Sequence, residues 1–179
     1  GHIKNKEIIK FKPRKRLSFF NRYRKNPNKK LPLEIKGLQP GLAVHFAECC
    51  LPLPGEDIFG ISEVDVGVII HSANCKKLIE DFSEDLWLSA TWKDVSKEQL
   101  FTSRIKISVV NEPGSLGMLA THIGDHGGNI INLNISEKSN DFFDMIFEMN
   151  LKNLDHLKTI IASLKEIDRV SMVKRLYIN

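Results

Sequence analysis

The sequence predicts an α+β protein of two unlike units, a small strand-rich one that carries all three cysteines and a larger βαββαβ one behind it. Three observations predict it. Turn-forming residues bracket short β-branched runs between residues 38 and 95. From residue 101 onward the hydrophobic period alternates between 2 and 3.6 in the order strand, helix, strand, strand, helix, strand. The charge also changes sign along the chain. Residues 1–36 hold 13 Lys or Arg against Glu7 and Glu34, a net of +11, whereas the rest holds 13 against 20 acidic residues, a net of −7. The division is therefore a basic arm or linker at 1–37, a cysteine unit at 38–95 and a βαββαβ unit at 101–179.

The arm, with Phe11, Phe19, Phe20 and Tyr23 among its cations, suits phosphate binding by counterion release, or else a solvated linker. Asn26-Pro27-Asn28 and Leu31-Pro32 close it, and Gly37-Leu38-Gln39-Pro40-Gly41 opens the next unit. There Leu42–Ala47 reads as a strand, Pro52 and Pro54-Gly55 as a turn, and Ile58–Val64 and Val66–His71 as two more strands. Ser72 then reads as the cap of a short helix with Leu78, Ile79 and Phe82 on one side, followed by a strand over Leu86–Trp92. A unit of roughly 58 residues has a marginal core, so a staple or a neighbouring domain is expected to support it.

Lys93–Gln99 is a polar connector. Beyond it Ile105, Ile107 and Val109 alternate with Lys106, Ser108 and Val110 as a half-buried strand, and Asn111-Glu112-Pro113-Gly114 is a turn. Ser115 reads as the cap of a helix whose Leu116, Leu119, Ala120 and Ile123 share one face, stopped by Gly127-Gly128. Ile131, Leu133 and Ile135 alternate in one strand and Phe143, Met145, Phe147 and Met149 in the next, around a turn at Ser139-Asn140. Asn153 caps a second helix with Leu154, Leu157, Ile161 and Leu164 on one side. Val170, Met172, Leu176 and Ile178 give a last strand. This order is the ferredoxin-like layout, an antiparallel sheet with both helices on one face.

Composition excludes several classes. Apolar runs such as Val66–Ile70 stop after five residues, far short of the roughly 20 that cross a bilayer, so no membrane partner is expected. An odd number of cysteines, two of them adjacent, is no secreted disulfide framework and points to a reducing, cytoplasmic compartment. The start at Gly1-His2-Ile3-Lys4 has neither an apolar leader nor an initiator Met, so the chain reads as a piece of a longer protein. No P-loop, Ser/His/Asp grouping or paired-carboxylate motif supports a catalytic site.

Candidate chemistry sits in the smaller unit. Cys49, Cys50, His71 and Cys75 are the number of ligands a tetrahedral zinc ion needs, with His45 as a fifth candidate. Neighbours on a strand point to opposite faces, so Cys49 and Cys50 share one ion only if the chain turns near Leu51-Pro52. The alternative is a set of small buried thiols without metal. In the larger unit, Pro113-Gly114 leads into a helix whose first N–H groups, near Ser115 and Leu116, are free donors for a carboxylate or small anion, or else an ordinary cap. His122 and His126, at i and i+4, read as solvent-facing or capping residues. Asp144, Ile146 and Glu148 point away from the helices and form an acidic face that disfavours RNA.

The run His45-Phe-Ala-Glu-Cys-Cys-Leu-Pro-Leu-Pro-Gly55, with Gly60-Ile61, Gly67-Val-Ile-Ile-His71 and Cys75, resembles the conserved-cysteine, or zinc-finger, domain of the long RelA/SpoT homologues, synthetases and hydrolases of the alarmone (p)ppGpp. Asn111-Glu-Pro-Gly-Ser-Leu116 and Gly128-Asn-Ile130 resemble the ACT domain that ends the same proteins. Together the two resemblances cover residues 38–179. They imply a regulatory C-terminal region of the stringent response, without the catalytic site, holding zinc on Cys49, Cys50, His71 and Cys75. They also imply an amino-acid ligand, branched-chain in the expected case, at Gly114, Ser115 and Leu116. Asn111 would be its hydrogen-bond partner, and Asn129 and Ile130 would come from a second subunit. A homodimer through the ACT sheet, joined by Phe101–Val110 or Asp141–Leu151, is expected, with the ribosome and its RNA or catalytic (p)ppGpp enzyme domains as further partners. The chain lacks the His-Asp doublet of the hydrolases and has no room for the hydrolase, synthetase or TGS domains. Where the family places Arg and Asp after the His, Ser72 and Asn74 stand here, which removes a phosphate contact. The alternative is a stand-alone ACT amino-acid-binding or dimerisation module.

Overall fold

A computed structural model describes residues 31–77, 87–139 and 141–178. The smaller unit is a five-stranded sheet of β1 (Leu33–Ile35), β2 (Val44–Phe46), β3 (Ile58–Glu63), β4 (Gly67–Ser72) and β5 (Trp87–Trp92), in the order β1-β5-β3-β4-β2. β2 runs parallel to β4 and the other pairs are antiparallel. The period-2 pattern sorts the side chains. Val68 and Ile70 pack with Leu33, Ile35, Ile58 and Ala90 into a core on one face. Ile61 on the other face packs with Ala47, Cys50 and Cys75, and Ile69 lies against them.

Leu33–Ile35, read from sequence as the end of the arm, is instead an edge strand of this sheet, with Leu33 and Ile35 buried around exposed Glu34. Three residues between Pro32 and Lys36 carry too little periodicity to register as a strand. Ser72, read as a helix cap, ends β4 and is fully buried. Most of the helix expected after it, including Leu78, Ile79 and Phe82, lies outside the described residues.

The larger unit is β6 (Phe101–Val110), α1 (Ser115–Asp125), β7 (Asn129–Lys138), β8 (Phe142–Leu151), α2 (Leu154–Lys165) and β9 (Val170–Arg175). Its sheet is antiparallel in the order β7-β8-β6-β9, which is the ferredoxin-like arrangement. Ile105, Ile107, Val109, Met145, Phe147 and Met149 on the sheet meet Leu119 and Ile123 of α1 and Leu157, Ile160 and Leu164 of α2. Asn153 caps α2 by accepting from the His156 N–H at 2.8 Å. Ser115 does not cap α1. The cap is Gly114 at φ 85°, and the Ser115 hydroxyl donates back to the Val110 carbonyl at 2.8 Å.

The strand order overturns one expectation. β6 and β8 are the central pair, so Phe101–Val110 and Asp141–Leu151 have neighbours on both sides and neither offers an edge. The free edges of this sheet are β7 and β9, because the first and third strands of a βαββαβ unit pair in the middle. The acidic face is corrected as well. Asp144 and Glu148 do face away from the helices, but Lys106 lies 2.7 Å from Asp144 and Arg104 3.2 Å from Glu148, so cross-strand pairs neutralise it.

The two units share a core. Leu53 of the smaller unit is fully buried among the apolar residues of the larger one, a placement worth about 1.5–3 kcal/mol. Trp92 stacks on Phe46 at 5.6 Å and meets Phe101 edge-on at 5.4 Å. The Pro54 carbonyl accepts from the Leu154 N–H at 2.9 Å, at the start of α2. Among the described residues no helix is long and apolar enough to cross a membrane.

Candidate metal centre

Cys49 and Cys50 converge because the chain turns as expected. The three residues after Ala47 form a turn, the Leu51 N–H donates to the Ala47 carbonyl at 2.9 Å, and Leu51 itself takes φ 45° before Pro52. β4 carries His71 on the same face of the sheet as Ile69, and Cys75 follows in the next turn, its N–H on the Ser72 carbonyl at 2.9 Å. The four ligand atoms lie within 4.8 Å of one another. His45 is not part of this group; it sits on β2 opposite Ile69.

The spacing fits a tetrahedral ion. Zn–S bonds of about 2.3 Å and Zn–N bonds of about 2.0–2.1 Å place sulfurs about 3.8 Å apart and sulfur about 3.5 Å from nitrogen. Here Cys49 Sγ lies 3.5 Å from Cys75 Sγ and 3.5 Å from His71 Nδ1, and Cys50 Sγ lies 3.9 Å from His71 Nδ1. Hydrogen bonds from Cys50, then from His71 and Cys75, hold the Cys49 thiol down at about 4. Cys50 is pushed up, first by donating to Cys49 and then by burial, and Cys75 is raised by burial and then by the same sulfur. Cys49 is thus the thiol most easily ionised, and a bound cation would favour deprotonation of the other two.

Behind the ligands stands a buried network that the sequence did not reveal. The Ser72 N–H points at Cys50 Sγ at 3.3 Å, and the Ser72 hydroxyl donates to Glu56 Oε2 at 2.7 Å. Glu56 also accepts from the Leu53 N–H, and Arg175 grips it with Nη1 on Oε2 at 3.1 Å and Nη2 on Oε1 at 2.8 Å. Glu56 and Arg175 are 119 residues apart, so no local motif pairs them. A fully buried Ser72 also has no access to a phosphate.

The residues expected to hold an amino acid are divided. Asn111, Gly114, Ser115 and Leu116 lie at the start of α1, whereas exposed Asn129 and half-buried Ile130 follow its far end. The Asn111 side chain donates to the Ser139 carbonyl at 3.0 Å, and the Ser115 N–H donates to the Glu112 carbonyl at 3.2 Å, so that amide is not a free donor. Leu116 is exposed, and a Cβ on Gly114 would meet nothing within 4 Å. His126 terminates α1 with Nδ1 2.8 Å from the His122 carbonyl, and His156 Nε2 lies 2.7 Å from the carbonyl of His126.

Comparison with known proteins gives two family matches, the RelA/SpoT RIS domain over residues 33–93 and the ACT domain over 97–175. The GTP pyrophosphokinase rsh of Brucella abortus (strain 2308) is 34% identical over 148 residues, which is 82% of this chain and 20% of that protein. The bifunctional (p)ppGpp synthase/hydrolase SpoT of Escherichia coli (strain K12) is 28% identical over 144 residues, 80% of this chain and 20% of that protein. The chain thus spans about one fifth of the length of these relatives. Among solved structures, the ACT domain from the GTP pyrophosphokinase of Chlorobium tepidum matches with 24% identity and a TM-score of 0.39, over 44% of this chain and 100% of that one.

Proposed function

From a chain that joins a RelA/SpoT RIS domain to an ACT domain, we propose a regulatory C-terminal region that acts in the cytoplasm on the catalytic domains of a (p)ppGpp synthetase/hydrolase. The observation that carries this reading is the preformed Cys49, Cys50, His71 and Cys75 tetrad in the RIS domain, fastened by Arg175 to the ACT domain. Zinc, bound to those four residues, would cross-link the turn at 49–50 to β4 and make the RIS domain a rigid lever between the ACT domain and whatever precedes it.

The test replaces the corresponding region of the Brucella abortus relative with this chain and measures (p)ppGpp synthesis and hydrolysis. The expected outcome is a severalfold shift in their ratio relative to the truncated enzyme, lost with Cys75→Ser. An unchanged ratio overturns the reading. Metal analysis of the chain purified without chelator is expected to give one zinc per chain and none for Cys75→Ser.

The open space over Gly114 favours a second reading, a stand-alone ACT module that dimerises and binds an amino acid. Calorimetric titration with branched-chain amino acids is expected to give heat for wild type and none for Gly114→Val. Absence of heat with wild type discards the sensor.

A further inference from the structure

The turn that presents Cys49 and Cys50 carries four consecutive carbonyl groups, those of Glu48, Cys49, Cys50 and Leu51, that lie outside any helix or strand. Each of them accepts a hydrogen bond from the ACT domain. Arg104 Nη1 donates to Glu48 at 2.7 Å, the Ile178 N–H to Cys49 at 2.7 Å, and Arg175 Nη2 to Cys50 at 3.2 Å and Leu51 at 3.0 Å. No helix or sheet ladder serves these carbonyls, so the second domain completes their hydrogen bonding. The same Arg175 neutralises Glu56, with 11% and 4% of the two side chains exposed, and Glu56 fixes Ser72, whose N–H points at Cys50 Sγ. Arg175 therefore reaches the tetrad from two directions, through the backbone of its turn and through the groups around one sulfur. Tyr177, under the Arg175 guanidinium at 5.0 Å, packs against the cysteine cluster.

We propose that Arg104 and Arg175 are positioning residues for the metal centre, so that docking of the ACT domain on the cysteine turn and metal binding stabilise each other. The inference rests on the tetrad binding metal. A turn held at both ends and at every carbonyl keeps the two adjacent sulfurs on one side, where a free turn lets them diverge to the opposite faces that neighbouring residues prefer. Groups of this kind, one step behind the ligands, typically change metal affinity about 10- to 100-fold. Linkage makes the effect reciprocal: what docking adds to metal affinity, metal adds to docking.

The experiment measures zinc affinity of the full chain by competition with a chromophoric chelator, and the visible spectrum of the Co(II)-loaded form. Variants are Arg175→Gln, Arg175→Lys and Arg104→Gln, each checked for folding by circular dichroism. Arg175→Gln is expected to weaken zinc about 10- to 100-fold with stoichiometry and the tetrahedral Co(II) bands retained, and Arg175→Lys to recover part of the loss. Arg104→Gln, which leaves the buried Glu56 pair intact, is expected to weaken zinc severalfold and decides the matter if Arg175→Gln does not fold. In wild type, removing zinc is expected to speed proteolysis at the connector 93–99. Zinc affinity unchanged in both Gln variants overturns the positioning role while the metal reading stands. A wild-type chain that takes up no metal overturns both.

Discussion

Two glycines that both sit at positive φ are expected to tolerate substitution very differently. Gly67, at φ 111°, starts β4 under the Ala43 carbonyl, which a Cβ would strike, whereas Gly114, at φ 85°, faces open space. Gly114→Ala is expected to cost only the left-handed penalty of about 1–2 kcal/mol, and Gly67→Ala clearly more, read by urea unfolding of the two variants. Equal costs would show that the clash at Gly67 relaxes. Asp144 offers a test in pH. The hydrogen bond from Lys106, then that from Ser108, holds its carboxyl below the ordinary 3.8. A carboxyl depressed in the folded state adds stability above its unfolded pKa, and that stability is lost as pH falls through the lower folded value. Asp144→Asn is therefore expected to cost about 1 kcal/mol or less at pH 7, given its solvent-facing position, and nothing below the carboxylate range. A cost that persists there would point to packing instead. At this scale the four residues of the Cys/His cluster were legible because Cys and His are rare and chemically specific. Glu56 and Arg175 were not, since a common Glu and a common Arg acquire meaning only once the fold brings them together.

Each strand and helix of the larger unit was legible, because its periods are long and clean. Ile105, Ile107 and Val109 alternate without a break, and Leu119 and Ile123 mark the buried face of α1. What periodicity does not encode is strand order, and for that reason the wrong strands were expected to form the join between subunits. We propose β7 as that join. Its outer edge has no neighbour among the described strands, and Ile131 and Ile135 are 42% and 50% exposed on it. Register shifts at Ile130/Asn132 and Ile135/Glu137 leave Asn132–Ile135 as the regular stretch available for pairing. Ile135→Lys is expected to shift the mass in solution from dimer towards monomer with the circular dichroism spectrum unchanged. A monomeric wild type, or a variant that remains fully dimeric, argues against pairing through β7.

Over the whole molecule, the net +11 on residues 1–36 against the acidic remainder leads to a further expectation. A form lacking residues 4–30 should lose most of the chain's salt-sensitive affinity for RNA, measured by filter binding across a salt series. Equal affinity with and without the segment would rule out the electrostatic reading. The association of the two units was the least legible feature. Leu53 reads locally as one apolar residue in a Pro-rich turn, yet it belongs to the neighbour's core. The last residues, counted from sequence with the final strand, leave it after Arg175 and cross to Cys49. That crossing sets an order of events during synthesis. Arg175 is made 125 residues after Cys50, and at about 5–20 residues per second the cysteine turn waits roughly 6–25 s for its clasp. Until then the turn lacks its Arg175 contacts, although Arg104 is made earlier, so any metal uptake would compete with oxidation for a turn that is not yet fully fastened. If the four residues take up metal, the chain would on this order be most open to thiol oxidation while it is still being made, before Arg175 has closed on the turn.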